Sequence, residues 1–148
     1  SVEKENIDYR ENLLENAIIV IKRNPWFGSA EYLTAPEMEK MRQGQGIIDV
    51  VNSYLGIALE YGLVGVGLFV GFFVLVLNEI YKAMRKIRSR DNEMYRLGRA
   101  LLAALIGILV TIATTSSITI IPIVYWSVAG LGVAYTQIAC RDNKSNFA

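Results

Sequence analysis

Residues 61–81 read YGLVGVGLFVGFFVLVLNEIY, and this stretch decides what kind of protein the chain is. Positions 63–77 carry no charge, and with its flanks the run reaches the roughly twenty residues an α-helix needs to cross about 30 Å of hydrocarbon. Gly67 and Gly71 within it form a GxxxG pair, a spacing that lets a second helix approach closely. Two more apolar runs follow at 97–115 and 118–139, joined by a short uncharged turn through Ser116 and Ser117. So tight a connection predicts an antiparallel hairpin. Pro122 falls early in the last run, where a missing amide costs least. Tyr125 and Trp126 have two readings: anchors at the outer interface, or packing against the missing helices.

Outward from the first run, Lys82, Arg85, Lys86, Arg88 and Arg90 follow in quick succession, with Arg96 and Arg99 beyond. By the positive-inside rule the 82–96 loop is cytoplasmic. The tail at 140–148 then lies on the same side, and residues 1–60 lie on the extracytoplasmic side.

Composition agrees with a bilayer protein and removes several kinds of chemistry. Of 148 residues 53% are hydrophobic, and the formal charge is +1. Nucleic-acid phosphates call for a clustered basic face; here the basic cluster sits between two spans, where membrane topology accounts for it, so no nucleic-acid partner is expected. Histidine is absent, which excludes imidazole bases, histidine-ligated metals and histidine-containing triads. Cys140 is the single cysteine, so neither an internal disulfide nor a thiolate metal site is available. No metal and no cofactor are expected. The chain begins at Ser1 without a methionine, and residues 1–9 lack the basic and apolar regions of a secretory signal. The expectation is a fragment whose upstream transmembrane helices are missing.

The polar segment at 1–60 carries its own helical signals. Over 10–22, Leu13, Leu14, Ala17, Ile18 and Ile21 recur at helical spacing opposite Glu11, Glu15 and Lys22, predicting an amphipathic helix. It should stop at Asn24, which Pro25 restricts away from helical dihedrals. Trp26, Phe27 and Gly28 follow as an aromatic turn, which fits a membrane-water boundary or simple loop packing. Thr34-Ala35-Pro36-Glu37 reads as a capping box opening a short helix that Gly44-Gln45-Gly46 breaks. Asp49 is placed to open the next helix, on which Asp49, Asn52, Ser53, Gly56 and Glu60 share one polar, small-residue face. The fold class is therefore all-α: a polytopic membrane protein of three transmembrane helices preceded by an extracytoplasmic segment of short amphipathic helices, part of a larger helical fold.

The order of these features resembles the carboxy-terminal part of the O-antigen ligase and O-antigen polymerase superfamily of the bacterial cell envelope. The stretches that carry the likeness are Tyr9-Arg10-Glu11-Asn12, Arg23-Asn24-Pro25-Trp26-Phe27-Gly28, and Asn52-Ser53-Tyr54-Leu55 running into Glu60-Tyr61-Gly62-Leu63-Val64-Gly65. Pro122-Ile123-Val124-Tyr125-Trp126, with Gly130 and Gly132, adds to it in the closing span. The resemblance implies a glycosyltransferase of the bacterial plasma membrane. Such an enzyme acts on the outer face, on a polyprenyl-diphosphate-linked glycan donor and a glycan or lipid acceptor. It also implies functional arginines in the large loop and a histidine just before the Asn-Ser-Tyr-Leu run. That histidine position is occupied here by Val51.

Transfer from a lipid diphosphate needs cations for the departing diphosphate and a base for the acceptor hydroxyl. Arginine suits the first task, because its planar fork holds phosphate oxygens bidentately and keeps its charge. Arg10 matches a family arginine, and Arg23 and Arg42 are further substrate-binding candidates; the alternative for each is an exposed arginine that meets headgroups or nearby glutamates. Asp49 is the ionisable group nearest the vacated histidine position and is a candidate catalytic base, or an N-cap. Asn52 is a candidate to orient a sugar hydroxyl, or bonds to a neighbouring helix. Glu60 reads as an interface residue. The missing histidine favours a polymerase of the exopolysaccharide type over a ligase. A non-enzymatic transport or scaffold subunit of a polysaccharide export system is the alternative, although no charged residue lies deep within a span, as carriers usually require.

Overall fold

A computed structural model describes residues 2–42, 48, 50, 52–87, 92–114 and 120–145. The elements are α1 (Val2–Arg23), a 3-10 turn (Tyr32–Thr34), α2 (Pro36–Glu39), α3 (Ser53–Arg85), α4 (Glu93–Thr111) and α5 (Ile120–Ser145). The protein is all-helical, with no strand among the described residues. Ser53–Arg85, Glu93–Thr111 and Ile121–Arg141 are long and apolar enough to cross a bilayer, so the chain is a multi-pass membrane protein. It divides into two units, Ser1–Phe69 with Ile112–Ser117, and Val70–Thr111 with Ile118–Ala148.

In the first unit, α1 starts well before the expected position 10 and stops at Arg23, one residue before Asn24, as the proline rule predicts. The buried stripe is rotated from the expected one. Leu13, Ala17 and Val20 are buried against Met38, Met41 and Leu59, with Tyr9, Ile21, Tyr32 and Leu55 packed around them. Leu14 and Ile18 stay 47% and 41% exposed. Both stripes have helical spacing; the packing partners choose between them.

The capping box does not form. Ala35 is the N-cap of α2 and makes no side-chain cap bond, while Thr34 closes the preceding 3-10 turn by donating its Oγ1 hydrogen to the Glu31 carbonyl at 2.8 Å. Glu37 turns instead to Arg23, whose guanidinium donates to both of its carboxylate oxygens. An ion pair across two helices takes the carboxylate that the local motif would have used.

The helix expected to open at Asp49 begins at Ser53. Asn52 is its N-cap: Oδ1 accepts from the amides of Tyr54 at 2.9 Å and Leu55 at 3.2 Å. Asp49 and Val51 lie outside the described residues, as do Gly44, Gln45, Gly46, Arg88, Arg90, Ser116 and Ser117.

The pre-span helix and the first span are one element, α3, broken at Gly62, whose φ of 69° and ψ of −165° are not helical. The aromatic turn is docked on this break. Leu63 and Val64, the first amides of the membrane-spanning half, donate to the carbonyls of Pro25 at 2.8 Å and Trp26 at 3.2 Å, and Ser29 donates to the Leu59 carbonyl at 2.8 Å. Backbone groups orphaned at the break are thereby paired. A Cβ on Gly28 (φ 66°) would meet the Gly62 nitrogen at 2.6 Å, and one on Gly62 would strike the Trp26 carbonyl. Only glycine fits at either place. The turn backbone packs, while the Trp26 and Phe27 rings are 64% and 78% exposed where the apolar run starts.

In the second unit α4 packs on α5, the expected hairpin. Phe73, Val76, Ile80, Ala83 and Met84 of α3, Leu101 and Leu105 of α4, and Tyr125, Ala129 and Tyr135 of α5 are buried. Tyr125 and Trp126 stack with Phe72 and Phe73 at centroid distances of 5.2–5.8 Å. Tyr125 thus packs within the chain, against α3, a partner neither reading named.

Candidate functional site

The first unit carries a half-open cleft of about 170 Å³ lined by Arg10, Leu13 and Leu14 of α1, Asn52 and Leu55 at the start of α3, and Ala113 and Thr114 after α4. Three separate chain segments build it. Helical spacing puts Arg10, Leu13 and Leu14 on one side of α1. The Ser53 amide donates to the Ile112 carbonyl at 3.0 Å, which holds the start of α3 beside the turn that carries Ala113 and Thr114. At roughly 30 Å³ per water the volume suits about five waters. A phosphate-sized group fits within it.

Asn52 serves this cavity in two ways. Its Oδ1 is committed to capping α3, so the side chain is held by two backbone amides and its Nδ2 remains as a donor. Arg10 is exposed, and among the described residues no carboxylate pairs with it. A cation and an amide donor converge on a small cleft with apolar walls, an arrangement suited to an anion.

No family model, no curated protein and no solved structure matches this chain.

Of the expected site residues, the structure brings Arg10 and Asn52 together and leaves Arg23 and Arg42 elsewhere. Arg23 clamps the end of α1 to α2 through Glu37. Arg42 pairs with Glu39 at 3.2 Å within its own turn. Neither lines the cavity. The Glu37 carboxyl is held below its ordinary range, first by its own backbone amide and then by Arg23, against an opposing effect of burial. Tyr32 is held above its ordinary range by burial and by the nearby Glu60 carboxylate and Tyr61, so it stays a neutral hydroxyl beside the helix break. Glu60 is exposed.

Thr114 and Ala113 escaped the sequence reading because it counted them in the second span, 97–115, whereas α4 ends at Thr111. The one available signal was the run of threonines and serines at 114–117. Among the described residues no group of histidine, cysteine, aspartate and glutamate side chains could hold a metal ion.

Proposed function

We propose that this chain contributes part of the active site of a membrane glycosyltransferase that polymerises or ligates polyprenyl-diphosphate-linked glycan on the outer face of the bacterial plasma membrane. The observation that carries the reading is the convergence of Arg10 and Asn52 on one anion-sized cavity, since these two residues fall in separate stretches of the family resemblance. The Asn-Pro-Trp-Phe-Gly turn, seated on the α3 break through Leu63 and Val64, gives a second resembling motif a structural task at the start of the span.

In this reading the acceptor hydroxyl oxygen attacks the anomeric carbon of the donor, and the bond from that carbon to the diphosphate oxygen breaks. The electron pair leaves with the diphosphate, whose growing charge the Arg10 guanidinium stabilises. Asn52 Nδ2 donates to a phosphate oxygen or to a sugar hydroxyl. Asp49 takes the acceptor proton in place of the family histidine absent at Val51. By the positive-inside rule the basic residues Lys82, Arg85 and Lys86 support an outside location for residues 1–60. Arg23 and Arg42, engaged with carboxylates, act in this scheme as structural residues.

Arg10→Ala in the full-length protein is expected to abolish the glycan ladder while membrane insertion stays normal; Arg23→Ala keeps the ladder. An intact ladder in Arg10→Ala would remove the assignment. A transport or scaffold role has one observation in its favour, since a Cβ at Gly67 or Gly71 would meet nothing within 4 Å and the GxxxG face is open to other helices. Lipid-linked repeat units trapped on the inner face of a deletion strain would select that role, and units trapped on the outer face select the transferase.

A further inference from the structure

The second unit holds another basic cleft, of about 450 Å³, lined by Arg96, Arg99, Ala100, Leu102 and Ala103 in the first half of α4. Arg96 and Arg99, one helical turn apart, project from the same side of the helix. Both are exposed, and among the described residues neither is paired with a carboxylate, Glu93 included. The first turn is an unfavourable place for the Arg96 cation, because the amino-terminal end of a helix already carries partial positive charge. Arg99 also sits inside the apolar run that begins at Leu97, so its guanidinium must reach the headgroup layer or find an anion at the edge of the hydrocarbon. Below the arginines on the same face, Ala100, Ala103 and Gly107 are all exposed. Their small side chains leave an open apolar strip along the helix, with nothing within 4 Å of a Cβ placed on Gly107. Two cations without a carboxylate partner among the described residues, above an apolar strip of small side chains, have the charge order of a phospholipid.

We propose that this face of α4 binds one anionic phospholipid, its phosphate on the Arg96 and Arg99 guanidiniums and an acyl chain along Ala100, Ala103 and Gly107. The site is separate from the Arg10 cavity and does not depend on the transferase reading. A free phosphate would use the arginines and leave the strip empty; the exposed strip favours the lipid.

The test is native mass spectrometry of the full chain released from detergent with phosphatidylglycerol or phosphatidylcholine of identical acyl chains. Phosphatidylglycerol is expected to be retained on the order of tenfold better, as two arginines near a headgroup would give. Arg96→Gln with Arg99→Gln abolishes that preference at unchanged helix content, and Lys82→Gln with Lys86→Gln leaves it intact. Equal retention of the two lipids, an equal loss in the lysine variant, or displacement of the lipid by excess inorganic phosphate would overturn the proposal. Should the glutamine pair fail to fold, Ala103→Leu decides, because it fills the strip without altering charge: retention falls, and unchanged retention refutes the site.

Discussion

Arg10 and Arg23 belong to the same helix, yet their surroundings assign them different work. Arg23 stands in the last turn of α1, where a cation complements the helix dipole, and it meets a carboxylate from α2. Arg10 faces a cleft. Asn52 can be dissected in the same way. Asn52→Ala removes the cap of α3 and is expected to cost about 1 kcal/mol, seen as a lower unfolding midpoint. Asn52→Asp keeps a capping oxygen but loses the Nδ2 donor and adds a negative charge beside Arg10. It should preserve the helix content and suppress glycan assembly; normal assembly in this variant would leave Asn52 with the cap alone. Glu37 sets a pH dependence. Its carboxyl is held low in the folded state, so its contribution to stability is present above the ordinary carboxylate range and is lost as pH falls through the lowered folded value. Hydrogen exchange of the α2 amides is expected to accelerate in that acid window, and Glu37→Gln should flatten the response. Tyr135 carries a buried hydroxyl with no hydrogen-bond partner among the described residues. Tyr135→Phe is accordingly expected to be neutral or stabilising, since it removes an unsatisfied polar atom and keeps the ring.

At the scale of elements, the break in α3 is the feature with the most consequences. It permits one helix to serve as a polar-segment helix up to Leu59 and as a membrane span from Leu63. The orphaned groups at the junction are met by the backbone of the 25–29 turn. Gly62→Ala and Gly28→Ala each place a Cβ at positive φ against backbone. Dihedral strain alone costs roughly 1–3 kcal/mol, and the clash adds to it, so both variants should lose resistance to proteolysis in the 24–31 turn. Wild-type resistance in either would mean that the turn is not docked as described. Residues 61–81 announced the span, and the Asn-Pro pair announced the end of α1, because both signals are local: apolar transfer and a restricted dihedral need no partner. The capping box failed for the opposite reason. Thr34 and Glu37 have the right spacing for it, but a cation from another helix competes for the carboxylate.

At the scale of the molecule, the glycines show what packing adds. The GxxxG motif marked Gly67 and Gly71 as contact points, yet a Cβ at either meets nothing within 4 Å. Close approach inside the second unit occurs at Gly98, where a Cβ would lie 2.5 Å from Tyr135 Oη and 2.6 Å from Met84 Cγ, and at Gly132, 2.8 Å from Ile80 Cδ1. Gly98→Leu and Gly132→Leu are therefore expected to lower the thermal midpoint in detergent, by the roughly 1–3 kcal/mol typical of overpacking. Gly67→Leu should leave the midpoint unchanged. By itself the sequence determined the all-helical class, the three spans, the hairpin and the end of α1, since hydrophobic transfer and backbone restriction are properties of a segment and its immediate neighbours. Only the tertiary structure decided which stripe of α1 is buried, which arginine is left for a ligand, which glycines meet a neighbour and that Asn52 caps a helix beside Arg10. Each of those outcomes depends on atoms brought from distant parts of the chain, and no local pattern contains their positions.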